Sequence, residues 1–284
     1  MDKLYKTLIY DNQLSLSVLD TTDMVNEAIK IHKLTPVSAA ALGRTMTIST
    51  FMASGLKSDS EKLSVVVKGD GPLGKITVCG NGKLNMRGSV DNPFVDIPLK
   101  PNGKLDVSGA VGTKGRITVI KSMGLKDPYS GSAELVSGEI AQDFTAYFAY
   151  SEQQPTAIAV GVKIGTDGSC LGAGGVIIQP LPYAEEKNLI KAEEVMKNFT
   201  KVSTIIEQGG IEKLLKDYFN VEKYDKYYPS YKCLCSREKV ESTLISLGEK
   251  EARDIIKEQG KIKVTCEFCN SEYEFTKEDI DKLF

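Results

Sequence analysis

The 284-residue chain has no tryptophan and a single histidine, His32. One imidazole excludes most histidine-based catalytic schemes and the His-rich zinc hydrolase sites. Neither charge is in excess: 36 Lys and Arg stand against 38 Asp and Glu, a formal net charge of −2. Phosphate backbones are bound through clustered cations, so no nucleic-acid partner is expected. No stretch approaches 18 consecutive apolar residues, and no membrane span or membrane partner is expected. Near the start, Asp2, Lys3, Lys6 and Asp11 break up the apolar positions, so a signal-peptide core is missing. These features together predict a cytoplasmic protein.

Hydrophobic residues make up 41% and charged residues 26%, enough apolar content to bury a real core. The length suits one large domain plus something smaller. Thr7–Tyr10 and Leu14–Leu19 flank Asp11-Asn12 as a hairpin would. Met24, Val25, Ala28, Ile29 and Ile31 recur at helical spacing after the capping candidates Thr21 and Thr22, with His32 at the helix end. Thr35-Pro36 opens a second helix, small or apolar almost all round, that should be buried between layers. Strand signals follow from Leu63 to Val119, with a two-residue hairpin turn expected at Asn81-Gly82 and another turn at Asn102-Gly103. Ser137 is a cap candidate for a helix through Ile140, Phe144, Tyr147 and Phe148. Two further strands, 157–164 and 171–179, flank Asp167-Gly168.

Composition changes after Pro180-Leu-Pro182. Residues 184–199, 202–208 and 211–219 read as short helices with thin apolar stripes, the last two broken by Gly209-Gly210. Such helices are marginal alone and unfold locally unless packed on a neighbour. Gly69, Gly71 and Gly74 meet the G-x-G-x-x-G spacing of a dinucleotide site. Pro72 lies inside it, however, and a strand rather than a helix follows from Lys75, which rejects that reading.

The chemistry concentrates in the tail. Of six cysteines, Cys79 and Cys170 stand alone in strand-like surroundings and read as buried thiols. The other four form Cys233-Leu-Cys235 and Cys266-Glu-Phe-Cys269. In a reducing compartment such pairs bind metal or act in redox chemistry. Together they offer four thiolates to one tetrahedral zinc, one Zn²⁺ per chain. The tail is also short of core, and structural zinc supplies roughly 10–16 kcal/mol of apparent binding free energy to such folds. A link across some 30 residues restricts the unfolded chain by about 4 kcal/mol, whereas bonds within each close pair would forfeit that link. On the cysteines alone, a structural zinc ribbon and a redox switch both remain open. So does a thiol oxidoreductase using Cys266 and Cys269, although the polar run Asn270-Ser-Glu-Tyr favours a knuckle. The tail's 10 basic and 12 acidic residues speak against a nucleic-acid ribbon.

Several further segments carry a resemblance that covers nearly the whole chain. They are Gly69-Asp-Gly-Pro-Leu-Gly74, Ala110-Val-Gly112, Asp127-Pro-Tyr-Ser-Gly131, Leu135-Val-Ser-Gly-Glu-Ile140, Ser151-Glu-Gln153, Ala173-Gly-Gly175 and Ile178-Gln-Pro-Leu-Pro182. Cys233-Leu-Cys-Ser-Arg-Glu238, Leu247-Gly248 and Cys266-Glu-Phe-Cys-Asn270 continue the pattern. With these motifs the sequence resembles the redox-regulated heat-shock holdases, the thirty-three-kilodalton chaperonins. The resemblance implies an α+β protein in three parts. These are a mixed α/β, sandwich-like substrate-binding core at 1–180, a metastable helical linker at 181–230, and a small zinc-binding redox switch at 231–284. It implies an ATP-independent chaperone, not an enzyme, that binds unfolding client proteins under oxidative and heat stress. Cys233, Cys235, Cys266 and Cys269 would ligate zinc in the reduced, inactive state. Oxidation would release the zinc and join Cys233 to Cys235 and Cys266 to Cys269, and the active form would be a homodimer.

Overall fold

The computed structural model describes residues 1–124 and 126–284. Residues divide into two compact units, Met1–Lys232 and Cys233–Phe284. The alternation near the start builds the hairpin β1 (Lys3–Ile9) and β2 (Leu14–Asp20), joined by a turn in which Tyr10, Asp11 and Asn12 all have positive φ. Helices α1 (Thr22–His32) and α2 (Pro36–Ala53) follow, then strands β3 (Lys62–Lys68), β4 (Lys75–Asn81) and β5 (Asn85–Val90). A short helix α3 (Val107–Val111) leads to β6 (Arg116–Ser122), β7 (Tyr129–Glu134) and helix α4 (Ala141–Tyr150). Strands β8 (Ala157–Ile164) and β9 (Cys170–Pro180) precede α5 (Glu186–Met196), a 3₁₀ turn (Lys197–Lys201), and α6 (Val202–Phe219). Two short strands, β10 (Asp225–Tyr227) and β11 (Ser230–Tyr231), end the unit.

The strands form two sheets, ordered β10-β1-β2-β9-β8 and β11-β5-β4-β3-β6-β7. Helix α2 packs on β8 and β9 of the first sheet and on β4 and β5 of the second, so it lies between them. That position explains its composition: 15 of its 18 residues are buried. Three of its buried hydroxyls are satisfied by carbonyls one turn back, with Thr45, Thr47 and Thr50 donating to Ala41, Gly43 and Met46. A second apolar cluster lies on the opposite face of the first sheet. There Leu14, Leu16, Val18, Val176 and Ile178 meet Val202, Ile206, Ile211, Leu214, Leu215 and Phe219. The thin stripes of α5 and α6 therefore obtain the neighbour they need from this sheet. Gly210, at φ 68° and ψ 178°, breaks α6 at the expected Gly-Gly step.

Two local expectations fail for physical reasons. The Asn81-Gly82 turn is not a two-residue hairpin, because three residues separate β4 from β5 and Leu84, not Gly82, takes the left-handed conformation. Gly82 is needed instead for close approach, since a Cβ there would lie 2.1 Å from the Ser58 carbonyl oxygen. Ser137 is not the cap of α4. The fully buried Asp143 carboxylate accepts from the N–H groups of Val136, Ser137, Gly138 and Ile140 at 2.8–3.1 Å, winding that segment into a loop before the helix. Gly69 and Gly71 pack directly on the backbone of Val111 and Ala110, which fixes a loop and not a phosphate cradle.

Asp143→Ala strands four backbone donors in a region that water does not reach. The expected cost is about 3 kcal/mol in a urea melt of the first unit. A loss under about 1 kcal/mol would show that solvent replaces the carboxylate.

Candidate metal centre

The second unit consists of α7 (Arg237–Leu247), α8 (Glu249–Gln259), the hairpin β12 (Ile262–Thr265) and β13 (Glu272–Phe275), and α9 (Lys277–Leu283). Its apolar core has five buried side chains: Leu244, Ala252, Ile262, Phe275 and Ile280. Arg237 lies 4.3 Å from the centre of the Phe275 ring and pairs with Glu241 and Asp279, lashing the start of α7 to the hairpin and α9.

Each cysteine pair is placed by ordinary local rules. Cys266 and Cys269 occupy the turn of the β12–β13 hairpin. Asn270 N–H donates to Cys266 O and Cys266 N–H to Ser271 O, both at 2.9 Å, with Asn270 at φ 56°. This is a knuckle, in which a tight loop turns two side chains to one side. Cys233 and Cys235 lie in the extended segment before α7, whose first turn is capped by Ser236 accepting from Lys239 N–H. The fold brings all four predicted sulfurs together, within 4.8 Å of one another. Cys233 Sγ is 3.7 Å from Cys266 Sγ, and Cys235 Sγ is 3.4 Å from Cys269 Sγ. Four thiolates around a metal at about 2.3 Å would lie about 3.8 Å apart, so the donor set fits a tetrahedral thiolate centre. Among the described residues, this is the group of cysteine, histidine and acidic side chains with ligand geometry.

The surroundings tune these thiols unequally. Burial pushes Cys233 strongly upward, reinforced by the neighbouring thiols of Cys235, Cys269 and Cys266. Burial also raises Cys266, with Cys269 adding to the effect. At Cys269 burial again opposes ionisation, but the Ser271 hydroxyl and N–H, with Cys235 and Cys233, outweigh it and lower the thiol to about 7. Tyr273 donates its hydroxyl to Cys235 Sγ at 3.1 Å and is raised to about 12 by that bond. Ser271 and Tyr273 surround the sulfurs as metal-site neighbours commonly do. Nothing in the cysteine spacing singles them out, although both belong to the polar run that suggests a knuckle. Cys170 is buried and pushed up to about 12, which suits an inert core thiol. Cys79 is half-buried, 3.6 Å from the Ser64 hydroxyl.

An α+β unit joined to a four-cysteine knuckle defines the class of the protein. The Hsp33 protein family matches residues 2–276. The chain is 44% identical to the 33 kDa chaperonin of Alkaliphilus oremlandii (strain OhILAs), covering 96% of this chain and 92% of that protein. It is 42% identical to the 33 kDa chaperonin of Bacillus cytotoxicus, covering 99% and 98%. The crystal structure of the 33 kDa chaperonin (heat shock protein 33 homolog) of Thermotoga maritima matches with a TM-score of 0.90 at 33% identity, over 99% of this chain and 97% of that one. The chain belongs to the Hsp33 family, a family of chaperones and not of enzymes. Among the described residues, no helix is long and apolar enough to cross a membrane.

With so small a core, the second unit is expected to need a cross-link through its four sulfurs. Cys266→Ser with Cys269→Ser is expected to leave residues 237–284 largely unprotected in hydrogen exchange. The first unit should still melt cooperatively. Native-like protection of α7 and α8 in that variant would refute the dependence.

Proposed function

We propose that the protein is an ATP-independent holdase, silent while its tail thiols hold zinc and activated when they are oxidised. The observation that carries this reading is the four-sulfur cluster that brings the start of a 52-residue unit onto its β12–β13 hairpin, in a unit with five buried side chains. Cys233, Cys235, Cys266 and Cys269 hold one zinc per chain. The metal supplies a cross-link between distant segments and keeps the thiolates in their paired state.

Oxidation joins Cys233 to Cys235 and Cys266 to Cys269. Each thiolate pair loses two electrons and forms one S–S bond, the Zn²⁺ leaves, and one hydrogen peroxide per pair takes those electrons and two protons from solvent to become two waters. The sulfurs then no longer serve as four thiolate donors, and the two new bonds close loops too short to fold the unit. Unfolding of the second unit reaches the rest of the chain through residues 220–232, which connect it to α6. Residues 181–230 act as the metastable linker. When α5 and α6 lift, their apolar faces and the sheet face around Leu16, Val18 and Val176 become available. A large exposed apolar surface of this kind is what unfolding clients bind. The client-loaded form is a homodimer, and the protein works in the cytoplasm.

Zinc content, disulfide map and client aggregation, measured before and after peroxide at mild heat, test the reading together. Reduced protein should carry one zinc and suppress aggregation poorly. Oxidised, warmed protein should have lost zinc, contain the two in-pair disulfides, and suppress aggregation without ATP. Equal activity in both states, or bonds mainly between the pairs, would contradict it.

The linker's part has its own test. Leu214 is fully buried, and Leu214→Asp places a charge in the cluster beneath α6. Partial holdase activity is expected while zinc stays bound. An inactive variant whose α6 nevertheless exchanges freely would show that another element gates the surface.

A further inference from the structure

Four of the twelve tyrosines lie between residues 224 and 231, in the segment that crosses from one sheet of the first unit to the other. Strand β10 pairs antiparallel with β1, setting Leu4 opposite Tyr227, Tyr5 opposite Lys226, and Lys6 opposite Asp225. Strand β11 pairs parallel with β5, setting Ser230 against Asn85 and Tyr231 against Met86. Ser230 N–H donates to Leu84 O at 3.0 Å, and Lys232 N–H to Met86 O at 2.7 Å. Pro229 separates the two strands, and having no N–H it suits the crossing between sheets. One strap thus closes an edge of each sheet.

The aromatic side chains repeat the pattern. The Tyr224 ring stacks on Tyr5 with centroids 4.4 Å apart, and Lys6 Nζ lies 5.6 Å from the centre of the Tyr227 ring. Tyr231 donates its hydroxyl to Gly88 O at 3.1 Å. Yet the ladders are short. Strand β10 covers three of the seven residues of β1, and β11 two of the six of β5. Each backbone bond contributes little net stability, so such a strap holds mainly because both its ends are tethered. Its ends are the C-cap of α6 at Asn220 and, two residues beyond Tyr231, Cys233. Both tethers are lost in the active state described above.

Removing the strap leaves two sheet edges with free N–H and C=O groups, which template the pairing of another chain. We propose that an extended, aromatic-bearing segment of an unfolded client takes the strap's place, adding as a strand to the edges of β1 and β5. This inference rests on the holdase reading. Backbone pairing accepts almost any sequence, while the ring of Tyr5 and the ammonium of Lys6 favour aromatic side chains at the strap's tyrosine positions. That combination suits a site for many unfolded proteins and few folded ones, because folded proteins rarely offer a free strand.

Hydrogen exchange on the full chain tests this, with a reduced, carboxymethylated and therefore permanently unfolded protein as client. The strap-facing amides of residues 4–6 and 84–88 should be protected in the reduced protein. They should exchange about tenfold faster or more after oxidation and warming, and regain protection when the client binds. Tyr224→Ser with Tyr231→Ser should expose the same edges, and bind client, with zinc still in place. Client bound while these amides stay open would overturn strand addition and leave the holdase reading intact. A strap that stays protected in the active protein would do the same. Oxidised protein that captures no client at all would sink the holdase reading itself.

Discussion

Four sulfur atoms within 4.8 Å of one another bring the start of the second unit onto its β12–β13 hairpin, in a unit whose apolar core has five buried side chains. The ion pairs around Arg237 and Arg253 lie largely in solvent, where such pairs contribute at most about 1 kcal/mol each. A unit with so small a core is sensitive to whatever joins those sulfurs. The same dependence would be a defect in a larger domain, where many apolar contacts share the load.

The first unit is organised on the opposite principle. Helix α2 is buried on nearly every face between two sheets, so no single contact decides whether that core exists. Helices α5 and α6 are held to it by one face only, through Val202, Ile206, Leu214, Leu215 and Phe219. Their attachment is a layer added to a finished core. A layer of that kind can detach without dissolving what lies beneath.

Long elements with one dominant pattern were legible from the sequence: the β1–β2 hairpin, α1, the all-round apolar α2, and the strands with regular alternation. So was the cysteine tetrad, because ligand type and spacing carry the chemistry without reference to the fold. What escaped depends on contacts remote in sequence. Asp143 overrides Ser137 by capturing four amides of the preceding loop, and no local propensity signals that a carboxylate will be buried there. Strands β10 and β11 have three and two residues, too few for any periodicity, and exist because two sheet edges pass beside them. Ser271 and Tyr273 become sulfur neighbours only when the hairpin closes.

The spacing within the pairs has a consequence for how oxidation and unfolding combine. In the folded unit all four sulfurs lie within 4.8 Å of one another, so in-pair bonds are within reach, and so are bonds at the 3.4 and 3.7 Å contacts between the pairs, Cys235 to Cys269 and Cys233 to Cys266. Bonds formed there would preserve the long-range link and keep the unit folded. Once the unit loosens, the two pairs drift apart as the ends of a loop of about 30 residues, and the cost of bringing them back grows with that length. Partners one or two residues apart never lose contact. In-pair disulfides are therefore the product favoured when oxidant meets an already loosening unit, whereas a rigid one leaves cross-pair bonds available as well. On the proposed activation by in-pair bonds, the unit would respond to oxidant and unfolding conditions arriving together.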